Sequence, residues 1–277
     1  MSLPELRSED AKGNIKLIYQ AIENALGVRL VNLVYRHLAT VPGTLEWSWG
    51  IVSEPFQNGV FAARASALTA DLFVPEFNRL AASKNCVPGR WLDGDDRRRI
   101  CETLDAYNRA NPINAISLRV ISLALQNGRP AQFRAPKSLR SQSLPDLLPL
   151  ASLAGLPPEV MSVLNTLAHH TAGKATQIVP SLYRHFVEWP KFLEELGVWL
   201  ELMSEEGTID VISSRALTGA NEIAENVYQE LVSPPPEASV PNSEIRSTLV
   251  ETIKIFPPTI CRMIVIGGML RAALKNS

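Results

Sequence analysis

Residues 31–46, VNLVYRHLATVPGTLE, return in altered form at residues 179–194 as VPSLYRHFVEWPKFLE. Shifted by 148, the wider windows 31–66 and 179–214 align without a gap, and nine of the 36 positions are identical where chance gives roughly two. The matches are Val31/Val179, Tyr35/Tyr183, Arg36/Arg184, His37/His185, Pro42/Pro190, Leu45/Leu193, Glu46/Glu194, Gly59/Gly207 and Ser66/Ser214. Further along the offset becomes 145, pairing Pro112/Pro257, Val120/Val265, Ile121/Ile266 and Leu125/Leu270. Two copies are too few for a solenoid, so the pattern predicts a duplicated unit packed on itself about a pseudo-twofold axis. A ligand would most naturally sit between the halves.

Apolar residues recur at helical spacing, as in Ile15, Ile18, Tyr19, Ile22, Leu26 and in Leu193, Leu196, Trp199, Leu200, Met203. No alternating run bounded by hairpin signals is present. The expected fold is all-α, two pseudo-symmetric helical repeats forming a pseudo-dimer. The first repeat spans 1–127, a proline- and serine-containing connector 128–156, and the second repeat 157–277, all in one compact unit. Asp93 and Asp95 are candidate caps for a helix reaching about Ala110. Asn111-Pro112 reads as the end of that helix and the start of another running to about Gln126.

Composition narrows the function classes. Among 277 residues, 27 Lys and Arg oppose 28 Asp and Glu, a net charge of −1 that offers no electrostatic reason to expect nucleic acid or an acidic membrane as partner. The most apolar stretch, Ile255 to Leu270, contains Pro257, Pro258 and Arg262, so no membrane span is expected. Glu5, Arg7, Glu9 and Asp10 occupy the place of a signal's apolar region, and Cys86, Cys101 and Cys261 form no disulfide framework; a cytoplasmic protein is expected.

The common chemical signatures are missing: there is no Gly-x-Ser-x-Gly, phosphate loop, dinucleotide fingerprint, His-Glu-x-x-His or Cys-x-x-Cys. No cofactor and no metal are expected, since adjacent His169 and His170 point about 100° apart on a helix. His37 and His185 are repeat mates that could face each other across the axis; satisfied structural positions are the simpler reading. Arg97, Arg98 and Arg99 beside Asp95 and Asp96 read as a solvated helix face. Trp47, Trp49, Trp189 and Trp199 read as core. At offset 145, Asn111 is matched by Phe256, so one half places an amide where the other places a ring. Asn111 is then either a helix cap or, at a helix start facing the cleft, a contact for a small carboxylate.

Three stretches, LVNLVYRHLATVPG (30–43), LDAYNRANP (104–112) and WPKFL (189–193), resemble the group I 2-haloacid dehalogenases, which act on D- and L-2-haloalkanoic acids. The resemblance runs over roughly residues 15 to 270. It implies an all-α pseudo-dimer, commonly paired into a homodimer, with the active site between the repeats. In that family an aspartate of the second repeat activates the water that displaces halide, and an asparagine of the first helps hold water or substrate. The asparagine falls on Asn111. The aspartate falls on Leu182, after Ser181, so the family's base is absent. Pocket aromatics of the first repeat fall on Leu30 and Leu33, and the pocket tyrosine of the second falls near Thr252 or Ile253.

Glu188 and Asp105, each six residues and about 9 Å along a helix from the position they would serve, are poorly placed to substitute. Tyr107, one turn before Asn111, is better placed but is a weak base. The expected site therefore comprises Asn111, Ser181, Leu182, Leu30, Leu33, Tyr107 and Phe256, binding a small-molecule carboxylate. The expected activity is that of a diverged hydrolase-type enzyme, the alternative being a non-catalytic binding or interaction protein.

Overall fold

The computed structural model describes residues 3–73, 87–136, 146–172, 178–205 and 207–275. Cys86 and part of the connector lie outside these residues. Ten α-helices are described: α1 (Gly13–Leu26), α2 (Leu33–Leu38), α3 (Thr44–Gln57), α4 (Val60–Leu72), α5 (Gly94–Gln126), α6 (Pro158–Ala172), α7 (Ser181–Arg184), α8 (Pro190–Glu205), α9 (Thr208–Glu230) and α10 (Ser243–Lys275). Among the described residues there is no strand beyond an isolated bridge between Ala131 and Ser239. Five of the described helices thus fall on each side of the connector. The windows 31–66 and 179–214 carry the same helix order, α2–α3–α4 and α7–α8–α9.

Local chemistry explains several repeated residues. Gly59 and Gly207 are the N-caps of α4 and α9 with φ of 81° and 67°, a left-handed conformation that costs glycine nothing. Pro190 opens α8, where its missing N–H has no partner to lose. Leu45 and Leu193 are both fully buried, as are Tyr35 and Tyr183. Asp93 caps α5 by accepting from the Asp96 N–H at 2.8 Å. The four tryptophans assigned to the core are buried there.

Asn111-Pro112 is not a helix boundary. The 33-residue α5 runs straight through it, as α10 runs through Pro257 and Pro258. An interior proline costs about 3 kcal/mol, but burying Ile113 and Ile116 alone returns about 1.5–3 kcal/mol each. Ala110, Asn111 and Pro112 are buried with them, so tertiary packing overrides the local stop signal. Consequently Asn111 neither caps a helix nor stands at a helix N-terminus.

Helices α5 and α10 pack on each other more extensively than any other described pair, and α9 packs on both. Their close approach requires Gly267, where a Cβ would collide with the Asn108 side-chain oxygen; the Asn108 amide donates to the Gly267 carbonyl at 3.2 Å. Because the prolines do not interrupt it, α10 is long and apolar enough to cross a membrane, with a window of mean hydropathy 1.5. That window is 61% buried inside the molecule, which makes α10 its core helix.

The arginine run divides rather than forming one solvated face. Arg98 is exposed and pairs with Asp95 and Glu102. Arg97 reaches the carbonyls of Leu274 and Gly89 at 3.2 Å, and Arg99 stacks on Trp189 and pairs with Glu188.

Candidate functional site

The two long helices and the two short ones line a partly open cavity of about 50 Å³. From α5 it is lined by Tyr107, Asn111 and Asn114, spaced four and three residues apart and therefore on one helical face. From α10 come Phe256, Thr259, Ile260 and Met263, again at helical spacing. Asn32, Leu33 and Val34 enter from the start of α2; Ile178, Pro180, Ser181 and Leu182 enter from the start of α7. These are repeat mates: 32/180, 33/181 and 34/182 at one offset, 111/256 and 114/259 at the other. Each half thus supplies the same positions, but the first brings three amides where the second brings Pro180, Phe256 and Thr259.

Six of the seven expected residues, Leu33, Tyr107, Asn111, Ser181, Leu182 and Phe256, line this one cavity. Leu30 does not. It faces a separate polar cleft with Arg29, Arg36, Asp146 and His185, although its repeat mate Ile178 does reach the cavity. Leu30 precedes α2 in a segment without regular secondary structure, where helical spacing no longer predicts its direction.

The cavity wall carries unfilled hydrogen-bonding capacity. Asn32 Nδ2 donates to Asn111 Oδ1 at 3.3 Å, and Tyr35 donates to Asn114 Oδ1 at 2.9 Å. This leaves Asn111 Nδ2, Asn114 Nδ2 and Asn32 Oδ1 buried without a partner. Such groups are costly unless a ligand or water meets them. Among the described residues no Asp or Glu lines the cavity. Glu188 pairs with Arg99 and Asp105 with Arg271, both at the exposed surface.

Behind Ser181 lies a buried charge cluster that no sequence signal announced. Arg36 and Arg184, the repeated arginines, converge on Glu5: Arg36 Nε to Oε2 at 2.7 Å and Arg184 Nη1 to Oε1 at 2.8 Å. Arg36 also donates to the Val31 carbonyl and, through Nη2, to Ser181 Oγ at 2.9 Å. Both guanidiniums are 3% exposed. Burial pushes the Glu5 carboxyl up, but the two guanidiniums outweigh this and hold it below its ordinary value. Two cations against one anion leave a surplus positive charge one hydrogen bond from the cavity. The N-terminal segment is held in place by the Leu6 N–H to Arg36 carbonyl bond at 2.9 Å and by Tyr19 donating to the Leu6 carbonyl at 3.0 Å.

His185 and His37 do not share a site. His37 bonds the Pro4 carbonyl through Nδ1 and lies against Phe256. His185 is buried, with Nδ1 at 2.6 Å from the Leu148 carbonyl and Nε2 at 3.1 Å from the Tyr107 hydroxyl. Burial lowers its pKa to about 4; the Leu148 bond opposes this, and Arg36 and Arg184 add to it. The imidazole is therefore neutral, its proton sits on Nδ1 facing Leu148, and Nε2 accepts from Tyr107. Burial raises the Tyr107 phenol to about 12, with the Arg36 charge pulling in the other direction.

A pH prediction arises here. The unfolded chain takes up a proton at an ordinary histidine pKa of about 6.5, which folded His185 refuses until about pH 4. Stability from this group is therefore complete above the unfolded value and falls as pH drops through that window, by on the order of 3 kcal/mol. The groups facing His185 are Tyr107, Arg36 and Arg184, with Arg7, Glu9, Glu23, Arg29 and Asp146 lining the same cleft. Calorimetric melting between about pH 8 and 4.5 should show the decline in the wild type, and His185→Gln should flatten it. An equal slope in both proteins would assign the decline to other groups.

The helical arrangement is that of the D-2-haloacid dehalogenases. One solved structure, a D-2-haloacid dehalogenase mutant with D-2-CPA, superposes with a TM-score of 0.65 at 15% identity, covering 98% of this chain and 96% of that one. A further mutant structure gives the same values, and a D-2-haloacid dehalogenase with L-LA gives 0.63, also at 15% identity and with the same coverage. At that identity the likeness is one of fold. No family model matches the sequence, and neither does any curated protein.

Asn32, Asn114 and Glu5 were missed by sequence reasoning. Asn114 follows Asn111 by three residues on the same helix, a spacing that becomes informative once α5 is known to be unbroken. Asn32 carries only its proximity to Leu33. Glu5 carries no local signal, because its partners are 31 and 179 residues away.

Proposed function

We propose that this protein is a diverged hydrolase-type enzyme of the haloacid-dehalogenase fold that binds a small carboxylate between two halves related by a pseudo-twofold axis. One observation carries the reading: the surplus charge of the Arg36–Glu5–Arg184 cluster abuts Ser181 at the wall of a cavity that also presents two unpartnered amide donors. A carboxylate supplies the missing negative charge and accepts from both amides. The remaining wall, from Leu33, Leu182, Phe256, Ile260 and Met263, suits a short apolar chain. At ~10–15 Å³ per water-sized position, the cavity holds roughly three to five such positions, the size of an acid of two to four carbons. The structural neighbours act, by their names, on 2-haloacids, which supports the ligand class.

Isothermal calorimetry with propionate and 2-chloropropionate tests this. Wild-type protein is expected to bind both, and Asn111→Asp, which sets a like charge against the ligand in a desolvated pocket, should weaken binding by several kcal/mol, more than about 100-fold. Equal affinities would remove Asn111 from the site. The lack of a carboxylate among the described cavity residues favours a second reading, a non-catalytic binder of the same ligands. Binding unaccompanied by turnover of any short-chain acid derivative would select it.

A further inference from the structure

The cavity wall has one weak point. Among the described residues that line it, every one is buried except Leu33, which is half-buried. Leu33 also lines a second, larger cleft of about 230 Å³, and so does Ile178; no other described residue belongs to both. The outer cleft is lined by the N-terminal segment, by Arg184 and by residues 152–154, of which Ser152 and Ala154 are exposed. Solvent therefore reaches the outer cleft, and Leu33 with Ile178 forms the wall it shares with the cavity.

The two sides of the cavity are held differently. Leu33 and Ser181 are sequence mates at the 148 offset, as are Arg36 and Arg184. On one side Arg36 donates to Ser181 Oγ at 2.9 Å, a charge-assisted bond that fixes the wall there. A leucine side chain accepts nothing, so the other side has no counterpart of that bond. Arg184 instead gives Nε to the Ala151 carbonyl at 2.9 Å and Nη1 to Glu5 at 2.8 Å. Leu33 is retained by apolar contact alone, and a half-buried side chain can change rotamer without breaking a hydrogen bond. The residue before it is tied down, because Asn32 donates to Asn111 at 3.3 Å. Movement at this point belongs to the Leu33 side chain.

We infer that ligands enter the cavity from the outer cleft past Leu33, and that this side chain sets the longest acid the cavity accepts. The second half of the inference rests on the small-acid reading given above. An acid whose carboxylate meets the Asn111 and Asn114 amides, and whose chain outgrows the cavity, has buried wall on every described side except this one. Leucine at the mouth stops its tail; alanine there would let the tail pass into the outer cleft.

Thr259→Cys replaces a buried cavity residue by one of similar size and puts a thiol inside, to be read with methyl methanethiosulfonate. The thiolate attacks the sulfenyl sulfur, an S–S bond forms and methanesulfinate leaves. Peptide mapping by mass spectrometry follows the rate at each cysteine of the full chain. Adding Leu33→Ala should speed labelling of the introduced thiol by about 10-fold or more, since a mouth open about 0.1–10% of the time becomes one that no longer closes. Cys261, buried two residues further along α10 but outside the described cavity lining, should keep its rate. A change below about twofold at the introduced thiol, or an equal rise at Cys261, overturns the mouth.

Propionate should slow labelling while leucine occupies position 33, hexanoate should not, and Leu33→Ala should make hexanoate protect. Calorimetry on the wild-type chain needs no variant: hexanoate bound as tightly as propionate overturns the length-setting role. Propionate that fails to protect, with labelling still dependent on residue 33, keeps the mouth and overturns the small-acid reading. Protection by propionate at a rate indifferent to residue 33 does the reverse.

Discussion

Glu5→Ala is expected to lower the melting temperature by roughly 6–20 °C. Removing one partner of a buried ion pair costs about 3–5 kcal/mol, and each kcal/mol shifts a chain of this size by about 2–4 °C. The effect is large because Glu5 is the common counter-ion of two guanidiniums that are each 3% exposed, so its loss strands two buried cations together. Arg184→Met in the Glu5→Ala background should recover part of the loss by removing one of them. The same cluster adds acid sensitivity. The Glu5 carboxyl sits below its ordinary value in the fold, so its contribution is present above the unfolded pKa and is lost as pH falls through the folded one, beginning at the acid end of the window assigned to His185. A Glu5→Ala melting temperature within two degrees of wild type, about 1 kcal/mol or less, would show that the clamp is not holding the N-terminal segment.

The second expected result concerns halide. Purified protein should show no turnover of 2-chloropropionate above the buffer background. Displacement at the α-carbon needs water beside a positioned base, a contribution of about 10²–10⁴ in rate, and the position that resembles the family's aspartate is Leu182, fully buried at the cavity wall. Leu182→Asp, which puts a carboxylate at the cavity wall, should introduce measurable halide release. Sustained release by the wild-type protein, measured by ion chromatography, would refute the expectation.

Much of the architecture was legible because it rests on local periodicity and on repetition. Helical spacing announces α1 and α8 directly, and the gapless match of 31–66 with 179–214 places the same three helices in both halves. The paired glycines at 59 and 207 and the buried pair Leu45 and Leu193 are sites where backbone and packing demands coincide, so the residue itself carries the information. Residues on one helical face were legible too, which is why Tyr107 and Asn111 could be placed together.

What the sequence by itself determined is therefore the helical period, the near-repeat of 31–66 at 179–214 and the grouping of residues that share one helical face. Tertiary structure alone decided whether Pro112 ends a helix. The answer depends on how much apolar surface lies on both sides of it, a quantity set by α10 rather than by neighbours in the chain. It also decided that Leu30 turns away while its mate Ile178 turns in. The Glu5 clamp on Arg36 and Arg184 belongs wholly to it, because a charge pair has no periodicity and acts through space over a few ångströms, whatever number of residues separates its members.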